Sequence, residues 1–318
     1  MTSAGRSPVT GVLIMAYGTP ARPEDIEEFY TDVRRGRPPT PEQLADLERR
    51  YAAVGGISEL AARTAEQVAG VQAALDAVAP GEFACRFGSK HSKPSIERAI
   101  EQLAADGIRR FVALVLAPHF SAGSVGEYLE RARRAALSSE MSIEAICDWH
   151  DKPFLIDLLA ERVAAAFAET GTDPSDPSTE LLVTAHSLPV RFIESGDGYD
   201  GRLRETAELV ATAVGAVRWR VCWQSAGRTP EPWIGPDLLD VLRRLPAQGA
   251  SGVVICPAGF TSEHLEVSYD LDIEARALAA DLGIRFARTA SLNADERLCR
   301  GLAHLVLQAA QVGTGRSL

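Results

Sequence analysis

The chain has 318 residues, with 33 Lys and Arg against 43 Asp and Glu, for a net charge of −10. At 46% hydrophobic and 24% charged residues it can bury a core, which excludes bulk disorder. The acidic balance argues against nucleic acid as the main partner, because that would favour a basic patch.

The length allows one large domain or two of ordinary size. The first ten residues, MTSAGRSPVT, lack the apolar core of a signal peptide. No apolar run approaches the roughly 20 residues needed to span a bilayer. The expectation is a cytoplasmic protein without membrane insertion. Five cysteines, Cys85, Cys147, Cys222, Cys256 and Cys299, are odd in number, and no C-x-x-C pair exists. They are expected as reduced, mostly buried thiols in a reducing compartment.

Short Val/Ile/Leu-rich runs alternate with longer helical patterns. A first strand at 11–16 (GVLIMA) precedes helical patterns near 22–34, 41–53 and 58–78. A strand at 83–87 leads to a helix near 94–106, a strand at 110–116 to a helix near 124–137, and a strand at 142–147 to a helix near 152–168. Residues 170–179 (TGTDPSDPST) have a turn composition and read as a linker between two halves of four strands each. The second half reads as strands at 181–185, 218–223, 252–256 and 284–288. Helices lie near 201–214, 236–245, 263–281 and 293–311. Near-continuous apolar strands alternating with helices imply parallel sheets covered on both faces. The last helix has no strand after it and is free to return to the first half.

Two echoes suggest a diverged duplication. Leu13–Pro20 (LIMAYGTP) and Leu182–Pro189 (LVTAHSLP) both read as apolar strand, Ala, ring side chain, small residue, any residue, Pro. Pro118–Ser121 (PHFS) pairs with Pro257–Thr261 (PAGFT). Duplication would place Tyr17 and His186 at equivalent strand ends, and ligands in such sheets bind beyond the carboxyl ends of the strands. Two domains packed face to face would bring both residues into one cleft.

The acidic segment 261–274 (TSEHLEVSYDLDIE) carries the clearest chemical signal. Thr261 or Ser262 is a plausible N-cap, and Glu266, Asp270 and Glu274 recur at i, i+4 and i+8 on one helix face. Like charges at that spacing weaken a helix slightly. Three carboxylates without interleaved Lys or Arg therefore suggest a cation partner, and oxygen ligands with one imidazole suit Fe(II) or Zn(II). A solvated acidic face is the alternative on the residues alone. His186 with a carboxylate from the next strand–helix unit makes a metal or proton-transfer site. Dinucleotide, P-loop, serine-hydrolase and H-E-x-x-H motifs are absent.

Arg34-Arg35-Gly36-Arg37 and Arg49-Arg50-Tyr51 stand out in an acidic chain, and arginine pairs bidentately with carboxylates and phosphates. Gly55-Gly56-Ile57-Ser58 could offer backbone N–H groups to an anion. Trp223 and Trp233 flank a Gly/Pro-rich loop that could wall a flat apolar ligand or anchor domain packing.

Taken together, LIMAYGTP, Arg34–Arg37, RYAAVGGIS (50–58), LAPHFS (116–121), AHSLP (185–189), WQSAGRTPEPWIGP (223–236) and PAGFTSEHLEVSYDLD (257–272) resemble the bacterial ferrochelatase family. The soluble coproporphyrin type is the nearest likeness. The motifs run in the family's order from residue 11 to about 290.

The resemblance implies two Rossmann-like, chelatase-type α/β domains with parallel four-stranded sheets flanked by helices and a cleft between them. The expected domains are 8–150, joined by the closing helix 293–312, and 151–292. It implies insertion of Fe(II) into a porphyrin, coproporphyrin III by preference, giving its Fe complex (coproheme) in haem biosynthesis, with release of two protons. His186 and Glu266 would form the catalytic metal and proton face, with Asp270 and Glu274 as an outer ladder. Tyr17 would be an axial ligand to the product iron. Arg34, Arg50, Tyr51, Ser58 and Tyr128, with Tyr17, would hold the propionates or the macrocycle.

Partners are then the porphyrin and Fe(II), with room for transient contact with neighbouring haem-pathway enzymes, and a monomer is expected. No cofactor is expected beyond substrate Fe(II). Only Cys299 lies late in the chain, so an iron–sulfur cluster of the C-terminal cysteine type is not expected. The lack of an apolar lip before Tyr17 or within 36–60 favours the four-carboxylate porphyrin. A protoporphyrin IX ferrochelatase, cobalt or nickel insertion into a corrinoid precursor, and a porphyrin or haem carrier are the alternatives.

Overall fold

Among residues 9–227 and 229–312, which the computed structural model describes, eight strands form two parallel four-stranded sheets. Arg228 in the tryptophan-flanked loop, Pro8 at the expected start of the first domain, and the tail after Val312 lie outside the described residues. The first sheet contains β1 (Thr10–Ala16), β2 (Phe83–Ser89), β3 (Arg110–Val115) and β4 (Ser142–Ile146), in the order β2-β1-β3-β4. The second contains β5 (Thr179–His186), β6 (Trp219–Gln224), β7 (Gly252–Cys256) and β8 (Arg285–Arg288), in the order β6-β5-β7-β8. The two orders are the same pattern. Tyr17 follows central strand β1, and His186 ends central strand β5, as the echo in the sequence requires.

Period-2 alternation explains the cores. All of β1 is buried, as a strand covered on both faces must be. Val12, Ile14 and Ala16 join a core shared with Leu181, Val183 and Ala185 of β5. Leu13 and Met15 face the opposite side, under α4 (Ile96–Ala105) and α5 (Val125–Ser138). In the second half Leu182 faces outward with Val253 and Ile255, under α9 (Leu238–Arg244) and the segment after residue 264. His186 has the parity of Leu182 and Thr184, so it points to the same side as that segment.

The remaining helices are α1 (Ile26–Val33), α2 (Pro41–Ala53), α3 (Leu60–Val78), α6 (Pro153–Glu169), α7 (Val190–Glu194), α8 (Tyr199–Val214), α10 (Leu265–Val267), α11 (Arg276–Asp281) and α12 (Glu296–Val312). Thr40 and Gln43 form a reciprocal capping box that starts α2. α12 returns to the first half, packing on α3, β3 and β4 as well as on α6. The approach to α3 is close: a Cβ on Gly70 would meet the Cys299 sulfur at 2.5 Å.

Several expectations change. The 22–34 pattern divides into a 3-10 turn, Pro23–Asp25, and α1. Short α7 was not anticipated. Segment 170–179 is turn-rich and lies between the four strands of the first sheet and the four of the second, but α6, which precedes it, already packs on α8, β7 and β8 of the second half. The expected helix at 263–281 is three pieces: α10, a π-helical stretch Ser268–Ala275, and α11. Its N-cap position is taken by His264, without a side-chain cap. The Thr261 and Ser262 hydroxyls bond elsewhere, to the Leu116 carbonyl and Gln67 Oε1.

At the amino end of β5, far from the strand tips, the Glu180 carboxylate is 1% exposed and ion-paired with Arg218 and Arg220. Removing one member of a buried ionic cluster strands the rest. Glu180→Ala should lower the unfolding free energy by about 3 kcal/mol with unchanged catalytic rate, read from urea midpoints at constant slope. A midpoint equal to that of the wild type would show that the cluster is hydrated and energetically neutral.

Candidate active site

The two halves meet beside the carboxyl end of β5, where Arg50 of α2 reaches Asp270 of the segment after β7. His186 Nε2 stands 3.5 Å from Glu266 Oε1. Its other ring nitrogen, Nδ1, donates to the Ser187 carbonyl, which fixes the ring and leaves Nε2 as the working atom. Burial opposes the imidazolium, but the Glu266 charge and hydrogen bond, with the Ser187 carbonyl, raise its pKa to about 9. The side chain is nevertheless 34% exposed, so it lines a cavity wall rather than the core. Burial also opposes the Glu266 carboxylate, and His186 and His264 more than offset it, holding the group well below the usual range. His264 Nε2 lies 3.6 Å from Glu266 Oε2. Glu266 is thus bracketed by two imidazoles. His186 and Glu266 together form an imidazolium–carboxylate pair.

Asp270 sits one step farther out. Ser225 Oγ donates to its Oδ2 at 2.5 Å, and Arg50 Nη1 meets its Oδ1 at 3.3 Å. Burial first, then the Glu266 charge, raise its pKa to about 6, against the pull of Ser225 and Arg50. Glu274 is near enough to add to that rise. The three carboxylates do form a row, but not on an α-helix. Eight residues of α-helix would swing the stripe sideways by about 80° at 100° per residue. The slower i→i+5 winding of the π stretch counteracts that drift. Val267, Leu271 and Ala275, each one residue on, are buried in the core beneath.

A raised carboxyl pKa means that the native state prefers the proton. The destabilisation from the Asp270 charge is absent below pH 3.8 and grows as pH rises through about 6. Asp270→Asn should therefore raise the thermal midpoint at pH 7–8, with the gain vanishing toward pH 4. A lower midpoint at pH 8 would mean that the Arg50 and Ser225 contacts outweigh the buried charge.

Across the cleft, Glu266 pushes up the phenols of Tyr17, Tyr51 and Tyr128, in each case secondary to burial. Those three predicted residues are therefore near Glu266, Tyr17 exposed and Tyr51 and Tyr128 buried. Tyr17 is 42% exposed and packs edge-on against Phe29 and His91. After it, Gly18 adopts φ +95°, and a Cβ there would meet Ser89 Oγ at 2.2 Å, so only glycine fits. Tyr51 Oη lies 3.5 Å from Thr19 Oγ1, which lies 3.1 Å from Ser58 Oγ. Lys90 Nζ sits 5.1 Å from the centroid of the Tyr128 ring.

The arginines are engaged with the protein itself. Arg50 bridges the cleft to Asp270, approaches Asp46 at 3.4 Å and covers the Tyr269 ring. Arg34 lies apart from this group, donating to the Arg37 carbonyl and lying over Tyr30. The Gly55 and Gly56 N–H groups do not await an anion. They donate to the Ala52 and Tyr51 carbonyls at φ +101° and +105° and close α2. The tryptophans divide their roles: Trp223 is buried against Tyr199, while Trp233 lies 6.3 Å from the His186 ring.

Tyr199 has no periodic or motif signal that ties it to the pair, and Gln224 and Ser225 lie in the WQS motif but were given no role there. The Tyr199 hydroxyl donates to the His186 carbonyl at 3.0 Å, and Gln224 Nε2 donates to the Glu266 carbonyl at 3.2 Å. His264 was legible, two residues before Glu266. Among the described residues no three His, Cys, Asp or Glu converge as a ready metal cage, and no helix is long and apolar enough to cross a membrane. Cys85, Cys222, Cys256 and Cys299 are buried free thiols and Cys147 is exposed.

The chain matches the family model described as Ferrochelatase over residues 9–310. It is 43% identical over 301 residues to the coproporphyrin III ferrochelatase of Geobacillus sp. (strain WCH70), covering 94% of this chain and 97% of that one. It is 41% identical to the coproporphyrin III ferrochelatase of Bacillus subtilis, with the same coverage. Among solved structures, SirB from Bacillus subtilis with Fe3+ superposes with a TM-score of 0.57 at 13% identity, covering 96% of this chain and 98% of that one. CbiX, the terminal enzyme of sirohaem biosynthesis in denitrifying bacteria, gives 0.53 at 16% identity, with 96% and 100% covered. At that identity the structural likeness speaks for the fold, two Rossmann-like chelatase-type units.

Proposed function

The chain belongs to the ferrochelatase family, and from that premise we propose that it inserts Fe(II) into coproporphyrin III. The products are Fe-coproporphyrin III and two protons. The observation that carries the site assignment is the His186–Glu266 pair at the carboxyl end of β5, near enough to Tyr17, Tyr51 and Tyr128 for the Glu266 charge to act on their phenols.

Insertion breaks two pyrrole N–H bonds and forms four N–Fe bonds. Each released proton needs an acceptor near the ring. The pair holds one proton at rest, so it must pass protons outward to take up more. Fe(II) approaching Glu266 would repel the imidazolium and drive the His186 proton off, leaving a basic Nε2 for the pyrrole. Asp270, with a proton affinity near neutral pH, is the side chain next in line to accept and release, and Glu274 lies beyond it. Tyr17, whose phenol is held protonated, would supply an axial donor from the side opposite the pair. Tyr51, Ser58 and Tyr128 shape the macrocycle seat. Arg34 and Arg50 would serve its carboxylates, Arg50 after exchanging Asp270 for a propionate. An enclosing cleft of this kind can also impose the ring distortion that exposes the nitrogen lone pairs.

The finer reading keeps 8–150 with the closing helix, and 151–292, as the two working bodies. They would act as a cytoplasmic monomer without a resident cofactor. Four propionates favour a site that presents arginines, which is the reason to prefer coproporphyrin III over protoporphyrin IX. Steady-state metalation of the two porphyrins under identical anaerobic conditions tests this. Higher kcat/KM for coproporphyrin III is expected, and equal or reversed values would overturn the substrate assignment. Stoichiometric porphyrin binding without turnover would favour a carrier.

A further inference from the structure

Gln67 lies on α3 in the first half and is fully buried. Its Nε2 donates to the Asn293 carbonyl at 3.0 Å and to Thr261 Oγ1 at 3.4 Å. Its Oε1 accepts from Ser262 Oγ at 3.0 Å. The amide orientation follows from the Asn293 carbonyl, which can only accept. A buried amide is unfavourable unless its partners are met, and here both ends are used, on the loop 257–264 and on Asn293 before α12.

That loop leads directly to the reacting carboxylate. The Ser262 carbonyl accepts from His264 Nδ1 at 3.1 Å, and His264 Nε2 stands 3.6 Å from Glu266 Oε2. The loop has no regular structure of its own between Pro257 and His264. It is held from outside: Thr261 Oγ1 donates to the Leu116 carbonyl of the first half, and Asn293 Oδ1 accepts from the Glu263 N–H. Gln67 is the side chain that touches Thr261, Ser262 and Asn293 together.

We propose that Gln67 is a positioning residue for metalation. From the first half it fixes Ser262, and through the Ser262 carbonyl it aims the His264 ring at Glu266, on the flank opposite His186. The inference rests on the reading of His186 and Glu266 as the reacting pair. A reacting group displaced by about an ångström can lose roughly a hundredfold in rate, so a helix outside the reaction chemistry can set kcat.

The test uses Gln67→Met, which keeps length and loses every hydrogen bond. It should lower kcat roughly ten- to a hundredfold with porphyrin KM changed by less than about twofold. In a His264→Ala background the same change should add no further loss, because the two residues act in series. Wild-type kcat in a folded Gln67→Met would overturn the proposal, as would losses that multiply in the double variant. If Gln67→Met does not fold, Ser262→Ala and Ser262→Thr decide. Loss with alanine and recovery with threonine supports the proposal, and wild-type kcat with alanine overturns it. Glu266→Gln separates the two levels. Full turnover in that variant removes the underlying site reading and this proposal with it. An inactive Glu266→Gln beside an active Gln67→Met removes the positioning role alone.

Discussion

Replacing His186 by alanine should lower turnover with Fe(II) and coproporphyrin III roughly 10²- to 10⁴-fold, the range of a positioned proton-transfer group. Porphyrin affinity should stay within about tenfold of the wild type. The division follows from placement. Nε2 faces Glu266 while Nδ1 is tied to the Ser187 carbonyl and the backbone carbonyl is tied to Tyr199. The ring is therefore aimed, and its removal deletes a proton carrier. The seat across the cleft, Tyr51 with Thr19 and Ser58, is untouched by the change. Loss of free-porphyrin fluorescence under anaerobic single-turnover conditions reads the rate, and a porphyrin titration without iron reads the affinity. Wild-type turnover would remove His186 from the mechanism, and a large loss of affinity with normal turnover would move it to the binding surface.

Glu266→Gln should be at least as damaging to turnover, and it carries a pH signature of its own. His186 is raised from 6.5 to about 9 chiefly against the opposition of burial, by the Glu266 charge. Its stabilising share is complete below pH 6.5 and is lost as pH rises through about 9. The carboxylate share, on a group lowered from 4.5, is present above pH 4.5 and lost on acidification. Both describe one ion pair, so its contribution spans pH 4.5 to about 9. Without the Glu266 carboxylate, the Ser187 carbonyl and the Asp270 charge still favour the imidazolium, but burial, the largest influence, favours the neutral ring. The thermal midpoint of the wild type should fall between pH 6.5 and 9. In the variant that fall should disappear, and a new loss should appear below pH 6.5. Parallel midpoint curves for the two proteins would show that the pair is not coupled in the folded state.

Much of the site was legible because it depends on local periodicity. A strand alternates with period 2, so Ala-Tyr and Ala-His after two apolar runs predict that Tyr17 and His186 end equivalent strands. The shared 2-1-3-4 order of the two sheets bears this out. The spacing of Glu266, Asp270 and Glu274 predicts one face. They do share a face, though through a π-helical stretch that no spacing rule anticipates. The glycines at 55 and 56 show the limit of composition. They read as donors for an anion, and the fold spends their N–H groups on closing α2.

The residues that support the pair were beyond reach for a different reason. Tyr199, Ser225 and Gln67 meet their partners across 13, 45 and 195 residues of sequence. The first two form only once the second half has folded on itself, and the third only once both sheets are packed on their shared core.

By itself, then, the sequence determined what repeats at short range: parallel α/β architecture, two related halves, a histidine and a carboxylate row at strand ends, and the family. The packing of the halves decided that Arg50 answers to Asp270, and the folding of the second half on itself decided that His186 is charged beside Glu266. Charge state depends on the dielectric and on neighbours a few ångströms away, and the carboxylates beside His186 come from the segment after β7.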